Sequence, residues 1–182
     1  MNLFDLSGQV AVITGSSRGI GRAIAERMAE HGARVVISSR KADACEAVAA
    51  DIRARYGDDR AVAIAANISS KTDLQHLMDE ARSRLGPIDI LVCNAASNPY
   101  FGPQEGISDD QFRKILDNNI VSNHWLISLV APEMTARRSG SIKRRAGIRG
   151  PGPCAELFLA LLRHREVDDR DRALHKAANI LL

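Results

Sequence analysis

A glycine-rich turn is the feature of this 182-residue sequence whose residue types and spacing best suit chemistry. It runs Thr14-Gly-Ser-Ser-Arg-Gly-Ile-Gly21, between a predicted strand at 9–14 and a predicted helix at 19–31. The glycines at 15, 19 and 21 permit a tight turn and close approach of a pyrophosphate, and the helix start offers free N–H groups and a positive dipole end. The spacing predicts a phosphate site, with a Gly-rich connection that binds nothing as the alternative.

Alternating strand and helix signals surround this turn over residues 8–138. Apolar runs and helical spacing predict strands at 9–14, 34–38, 61–65 and 88–93 and helices at 19–31, 42–55, 72–85 and 108–138. The last of these is capped by Ser108 and is either one long helix or two. Near-continuous apolar strands separated by helices are typical of a parallel sheet covered on both faces. The predicted fold class is α/β, a doubly wound Rossmann-type parallel sheet that ends after the fourth or fifth strand.

The pattern changes near Ile142, where a fifth strand should continue with apolar residues. The sequence reads Lys143-Arg-Arg145 instead, and unpaired charges buried in a central strand would cost on the order of several kcal/mol each. Residues 1–142 hold 16 Lys and Arg against 17 Asp and Glu, whereas residues 143–182 hold 9 against 5. We therefore predict a dinucleotide-binding domain over 1–142 and a divergent basic segment over 143–182, which contains no strand and is helical or disordered.

The ordered motifs of residues 5–142 resemble those of the short-chain dehydrogenase/reductase family. Asn67-Ile68 stands where that family has Asp-Val beside the adenine ring, Cys93-Asn-Ala-Ala96 is similar to its Asn-Asn-Ala-Gly motif, and Asn119-Ile120 matches its helical catalytic Asn. The resemblance implies hydride transfer between a nicotinamide cofactor and a carbonyl or secondary alcohol. The residues that it assigns to cofactor binding are Gly15, Ser17, Arg18, Gly19, Ile20, Gly21, Ser39, Arg40, Asn67, Ile68, Asn94 and Ala95.

The end of the second predicted strand bears on the choice of cofactor. NAD-binding sites place a carboxylate about twenty residues after the glycines, where it binds the ribose 2′-hydroxyl. Ser38-Ser-Arg-Lys41 contains no carboxylate, and the resemblance puts Arg18 at the same end of the cofactor. Arginine suits bidentate phosphate binding, so NADP is predicted in preference to NAD. The alternative is that Arg40 and Lys41 are solvated charges at a strand end.

The acid–base pair that the resemblance implies, a Tyr four residues before a Lys, is missing. Neither Tyr56 nor Tyr100 has a Lys at that spacing, no Tyr follows Tyr100, and no Ser follows Ser141. A nearby ammonium is what lowers the pKa of a phenol enough for it to exchange a proton near neutrality. Only Asn119 of the family's catalytic residues is carried over, so weak or absent activity is predicted. The alternatives are a non-catalytic NADP-binding module with a basic partner-binding tail, and a chain that misfolds.

Composition sets the remaining expectations. Aromatics are 4% of the chain and none is interleaved with the charges of 143–145, so nucleic-acid binding is not predicted. Apolar runs reach only about six residues, which predicts no membrane span. Three separated cysteines and no signal-peptide pattern suit the cytoplasm, and five histidines without ligand spacing predict no metal site. The expected partners are a small carbonyl or alcohol substrate, if the chain is active, and a second copy through helix 108–138, as in relatives.

Overall fold

The computed structural model of the chain describes residues 4–144, which form a parallel five-stranded sheet with helices on both faces. The strands are β1 (Val10–Thr14), β2 (Arg34–Ser38), β3 (Ala61–Ala63), β4 (Ile90–Cys93) and β5 (Ser141–Arg144). The helices are α1 (Gly19–Glu30), α2 (Ala42–Tyr56), α3 (Lys71–Leu85), α4 (Asp109–Leu116) and α5 (Ser122–Arg137). A 3-10 turn (Gln104–Gly106) precedes α4, and a π turn (Asp117–Val121) joins α4 to α5. The predicted α/β class is confirmed.

The strand order places β1 at the centre of the sheet. The order is β3-β2-β1-β4-β5, and every pair is parallel, with Val12 opposite Val36 on one side and opposite Leu91 on the other. The chain first builds outward from β1 to β3 and then returns past β1 to add β4 and β5. In open α/β sheets a ligand crevice forms at the carboxyl ends of the strands where the order reverses in this way. We therefore expect a ligand crevice between the loops after β1 and β4.

Successive strand residues face opposite sides of the sheet and pack into two separate cores. One core joins Val10, Val12, Val36 and Leu91 to apolar residues of α3 and α5, mainly Leu74, Leu77, Met78, Leu126, Val130 and Met134. The other joins Ala11, Ile13, Val35 and Ile37 to α1 and α2, mainly Ala25, Ala29, Val48, Ala49 and Ile52. Burial of both faces explains why β1 to β4 are apolar at nearly every position.

Two helices begin with side-chain caps. Ser70 accepts a hydrogen bond from the backbone of Asp73 at the start of α3. Ser108 and Gln111 form a reciprocal capping box at the start of α4, which confirms the predicted cap. The predicted helix 108–138 is thus helical over most of its length, with the π turn in its middle. Among residues 4–144, no helix has both the length and the apolar character needed to cross a bilayer.

The fifth strand corrects one prediction. Ser141–Arg144 pairs in parallel with β4, placing Lys143 opposite Val92 and Arg144 opposite Cys93, so the expectation of no strand from residue 143 onward is wrong for these two residues. The physical reason is that β5 is the outermost strand among the described residues. Lys143 is only half-buried and Arg144 is exposed, so neither charge is moved into a dry core. The rest of the predicted basic segment, residues 145–182, lies outside the described residues.

Candidate cofactor-binding site

The turn after β1 is held against the loop after β4 by two glycines that leave no room for a side chain. Gly15 has a φ of +67°, and a Cβ there would lie 2.9 Å from the Cα of Ala95. A Cβ on Gly21 would overlap the carbonyl oxygen of Gly15 and approach the Asn94 Nδ2 to 2.5 Å. Positions 15 and 21 therefore require glycine because the backbone of the turn and the β4 loop are in direct contact.

Thr14 and Asn94 lock the carboxyl ends of β1 and β4 together. The Asn94 side-chain amide donates to the carbonyl oxygens of Thr14 and Gly15 at 3.0 and 3.2 Å. In return, the Thr14 hydroxyl oxygen accepts from the backbone N–H groups of Asn94 and Ala95, both at 3.1 Å. Both side chains are buried, so these bonds are shielded from competing water. The predicted residues Gly15, Asn94 and Ala95 are thus brought together at the crevice.

Ser16 joins the same turn to the end of β2. Its N–H donates to the Ser38 carbonyl at 3.0 Å, and its hydroxyl oxygen accepts from the Ser38 N–H at 2.9 Å. The hydroxyl also donates to the Ile13 carbonyl at 2.7 Å. The turn is consequently fixed to β2 as well as to β4. Sequence reasoning did not single out Ser16, and its only signal was its place inside the motif.

The start of α1 is open to an anion. Of the four helices within residues 4–144 that begin from non-helical backbone, α1–α4, only α1 has neither a side-chain cap nor an acidic residue in its first turn. Its first N–H groups have no partner within the helix, and its dipole presents partial positive charge there. Gly19 has a φ of +57°, and a Cβ on it would meet nothing within 4 Å. Ser17 is half-buried beside this opening, and Ile20 is exposed.

Within residues 4–144, three cations at the start of α1 and after β2 have no carboxylate partner. Arg18, Arg40 and Lys41 are exposed and form no ion pair within residues 4–144. In contrast, nine other arginines of this region are ion-paired, for example Arg22 with Asp51 at 2.7 Å. Ser39 stands beside Arg40, and its hydroxyl contacts the Cys45 sulfur at 3.1 Å. Because no carboxylate within residues 4–144 pairs with them, these cations are available to a phosphate.

The loop after β3 carries the residues predicted beside the adenine. It runs alongside the end of β2, since the Ala66 N–H donates to the Ser39 carbonyl at 3.0 Å. Asn67 donates from its backbone to Asp73 at 3.1 Å, and its side-chain oxygen accepts from the Ser69 N–H. The hydrogen bond from Ser70, with that from the Asn67 backbone, lowers the pKa of Asp73. Ile68 packs partly into the α3/α5 core.

Asn119 holds the loop after β4 through its side chain. Its oxygen accepts from the Ser97 N–H and its amide donates to the Ser97 carbonyl, both at 3.0 Å. Its own carbonyl accepts from the Asn123 side chain at 2.8 Å. The predicted catalytic Asn therefore lies at the crevice as a residue that positions the β4 loop. Its neighbour Asn118 also contacts this loop, which the sequence signalled only by the paired asparagines.

Cys93 ends β4 next to the crevice, but it is a buried thiol. It is 1% exposed, and burial raises its pKa from 9.0 to about 12, with a smaller opposing effect of the Arg144 charge. The thiol of the unfolded chain ionises at its ordinary pKa, whereas the folded thiol does not. Burial of Cys93 therefore favours folding fully below about pH 9, and this contribution is lost as the pH rises towards 12.

We expect Cys93 to resist alkylation in the folded protein at pH 8. Peptide mapping by mass spectrometry after iodoacetamide treatment should find it unmodified in buffer and modified in urea, because the thiolate is the reactive form. The free energy of unfolding should fall less steeply between pH 9 and 11 in Cys93→Ala than in the wild type. Equal labelling rates for folded and unfolded protein would contradict the burial.

Comparison with known proteins agrees with this geometry. A sequence profile described as short chain dehydrogenase matches residues 9–147. Mouse dehydrogenase/reductase SDR family member 4 is 39% identical over 138 residues, which are 75% of this chain and 48% of that protein. Human dehydrogenase/reductase SDR family member 2, mitochondrial, is 40% identical over the same shares of the two chains. The chain belongs to the short-chain dehydrogenase/reductase family and spans about half the length of these curated relatives.

Solved structures give the same result. A hydroxysteroid dehydrogenase from Escherichia coli has 35% identity and a TM-score of 0.72, with 85% of this chain and 61% of that chain covered. A metagenomic short-chain oxidoreductase in complex with NADP has 30% identity and a TM-score of 0.76, with 86% and 74% covered. The doubly wound sheet is thus a family feature. Proteins of this family bind NAD or NADP and act on small molecules.

Proposed function

We propose that this chain binds NADP through the loops after β1, β2 and β3, as part of an oxidoreductase that interconverts a carbonyl and a secondary alcohol. One observation carries the preference for NADP over NAD. Arg40 follows β2 by two residues, Arg18 follows by two residues the Ser16 that bonds to Ser38, and neither has a carboxylate partner within residues 4–144. An NAD site would place a carboxylate for the ribose at the end of β2. Two guanidinium groups favour a ribose 2′-phosphate at this place.

The remaining contacts follow from the arrangement of the crevice. The open helix start at Gly19 and the close-packed Gly15 and Gly21 suit a pyrophosphate, as the uncapped N–H groups of α1 complement negative charge. Asn67 and Ile68 border the adenine, and Asn94 and Ala95 support the turn. When bound, the cofactor supplies the hydride acceptor or donor of the reaction. The residues named here would bind the cofactor and orient it.

We propose that hydride transfer by this chain is weak or absent. Tyr56 packs against the α1/α2 core, and the Tyr100 hydroxyl donates to the Pro103 carbonyl at 2.7 Å. Neither phenol has a Lys four residues later, so neither matches the proton donor that the family uses. Loss of a positioned general acid reduces turnover by about 10²–10⁴-fold. The second candidate function is therefore a non-catalytic NADP-binding module whose basic tail contacts a partner.

Calorimetric titration of the purified chain with NADPH and with NADH tests this function. We expect saturable binding that prefers NADPH, because only NADPH carries the 2′-phosphate. Turnover with NADPH and a panel of carbonyl compounds should remain at least about a hundredfold below that of family members with the Tyr and Lys. Lack of binding to either cofactor would refute the proposal, and turnover equal to those members would refute the low activity. The predicted cytoplasmic location and pairing through 108–138 remain predictions.

A further inference from the structure

Asn118 is a buried polar side chain that joins two separate loops. It lies in the π turn and is 5% exposed. Its side-chain oxygen accepts from the Ser69 hydroxyl at 2.5 Å, and its side-chain amide donates to the Ser97 hydroxyl at 2.6 Å. Ser69 follows β3 and Ser97 follows β4, so a single amide spans the space between the loops. We call Ser69, Asn118 and Ser97 the polar link.

The polar link ends on the loops that carry residues of the proposed cofactor site. Ser69 is next to Ile68, and its N–H is held by the Asn67 side chain at 3.1 Å. Ser97 is two residues beyond Ala95, and its backbone is held on both sides by Asn119. The loop beside the proposed adenine position and the loop that packs on Gly15 are therefore connected through one residue of the π turn.

Stability alone does not account for this arrangement. Removing one partner of a hydrogen bond costs about 1–3 kcal/mol where the other partner is left buried and unsatisfied, and much less where that partner can bond to water. Of the two partners of Asn118, Ser69 is exposed and Ser97 is only half-buried. Ser69 is exposed and lines a cavity of about 370 Å³ beside Asn118, together with Lys114 and Trp125. Its hydroxyl retains access to water without Asn118. Replacement of Asn118 by Leu should thus remove the connection with little loss of folding.

We propose that Asn118 is a positioning residue that couples the loop after β3 to the loop after β4, so that both sides of the cofactor groove form together. The assignment to the cofactor groove rests on the proposed function, whereas the coupling of the loops does not. A π turn widens a helix by one residue and is frequent at functional sites. Here it directs Asn118 and Asn119 onto the same β4 loop.

Hydrogen–deuterium exchange of the β3 loop tests the coupling without ligand. In Asn118→Leu, we expect the amides of Ser69 and Ser70 to exchange about tenfold faster than in the wild type. Ser97→Ala should also speed exchange at these amides, although it lies on the other loop, and should add nothing in the Asn118→Leu background. Ser122→Ala is the matched control, because the Ser122 hydroxyl donates to the Asn118 backbone carbonyl and not to the Asn118 side chain. Unchanged exchange in Asn118→Leu, or equal acceleration in Ser122→Ala, would overturn the proposal.

NADPH titration tests the connection to the cofactor. Asn118→Leu should bind NADPH about three- to tenfold more weakly than the wild type, and Ser122→Ala should bind it equally well. Equal affinity of Asn118→Leu and the wild type would overturn the positioning role even if exchange changed. Failure of the wild type to bind NADPH would instead refute the proposed function, and the exchange result alone would then decide whether the loops are coupled.

Discussion

Replacing Gly21 with alanine is expected to destabilise the protein by about 1–3 kcal/mol, the usual cost of overpacking, and to abolish measurable NADPH binding. This loss of stability is opposite to the usual effect, since replacing Gly with Ala inside a helix ordinarily stabilises a protein by about 1 kcal/mol. At Gly21 the new methyl group would overlap the Gly15 carbonyl and crowd the Asn94 amide. Because these atoms lock β1 to β4, relief of the clash must move the turn that is proposed to contact the phosphates.

Gly86→Ala is the matched control for this substitution. Gly86 ends α3 at a φ of +94° with open space around its Cα, so alanine there strains the backbone by about 1–3 kcal/mol without touching the turn. Urea unfolding should thus report comparable losses for the two variants, while calorimetry should find NADPH binding only in Gly86→Ala. Wild-type affinity in Gly21→Ala would show that the close approach of turn and β4 loop is not required for binding.

The double substitution Arg18→Ala and Arg40→Ala is expected to weaken NADPH binding by about a hundredfold or more. Charge-assisted hydrogen bonds contribute about 1.5–3 kcal/mol each, which corresponds to about ten- to a hundredfold in affinity per arginine. The affinity for NADH should change by less than about threefold, because NADH lacks the 2′-phosphate that these groups would bind. The ratio of the dissociation constants for NADPH and NADH, measured by calorimetry at one ionic strength, separates loss of the 2′-phosphate contacts from loss of folded protein. A folding defect would weaken binding of both cofactors alike.

Arg34→Ala serves as the control for loss of positive charge. Arg34 lies at the opposite end of β2 and also forms no ion pair among residues 4–144. Its removal should leave the preference for NADPH intact, since only charges at the carboxyl end of the strand adjoin the crevice. If the double variant lost affinity equally for NADPH and NADH, Arg18 and Arg40 would act on the diphosphate that both cofactors share and would not select NADP.

Most of the fold could be predicted because its signals are local. Buried strands such as Ile90–Cys93 are continuous apolar runs, and Ser108 is a strong cap signal that begins a helix in the structure as well. The fifth strand could not be predicted from Lys143 and Arg144. A strand tolerates charged residues when it is the outermost strand of its sheet, and the sequence does not show which strand takes that position. The π turn could not be predicted either, because its asparagines form hydrogen bonds with loops that are distant in the chain.

The candidate site could likewise be predicted only in part. The spacing of Gly15, Gly19 and Gly21 was sufficient to predict a tight turn between β1 and α1, and the binding of a phosphate there stays a prediction. The bonds that hold the turn in place were not predictable, since Thr14 and Asn94 are separated by eighty positions and meet only through the register of β1 with β4. Ser16 belongs to the same group, because its bonds to Ser38 require the pairing of β1 with β2.

The two cores described above differ in how much sequence variation they can absorb. The core under α1 and α2 is rich in alanine, including Ala11, Ala25, Ala29, Ala33, Ala49 and Ala61. Small side chains bring α1 close to the sheet, so larger residues there have no space. The core under α3 and α5 relies on leucine and methionine, which adapt their rotamers to changed neighbours. A larger side chain in the core under α1 and α2 would therefore displace α1 from the sheet, and with it the turn that precedes α1.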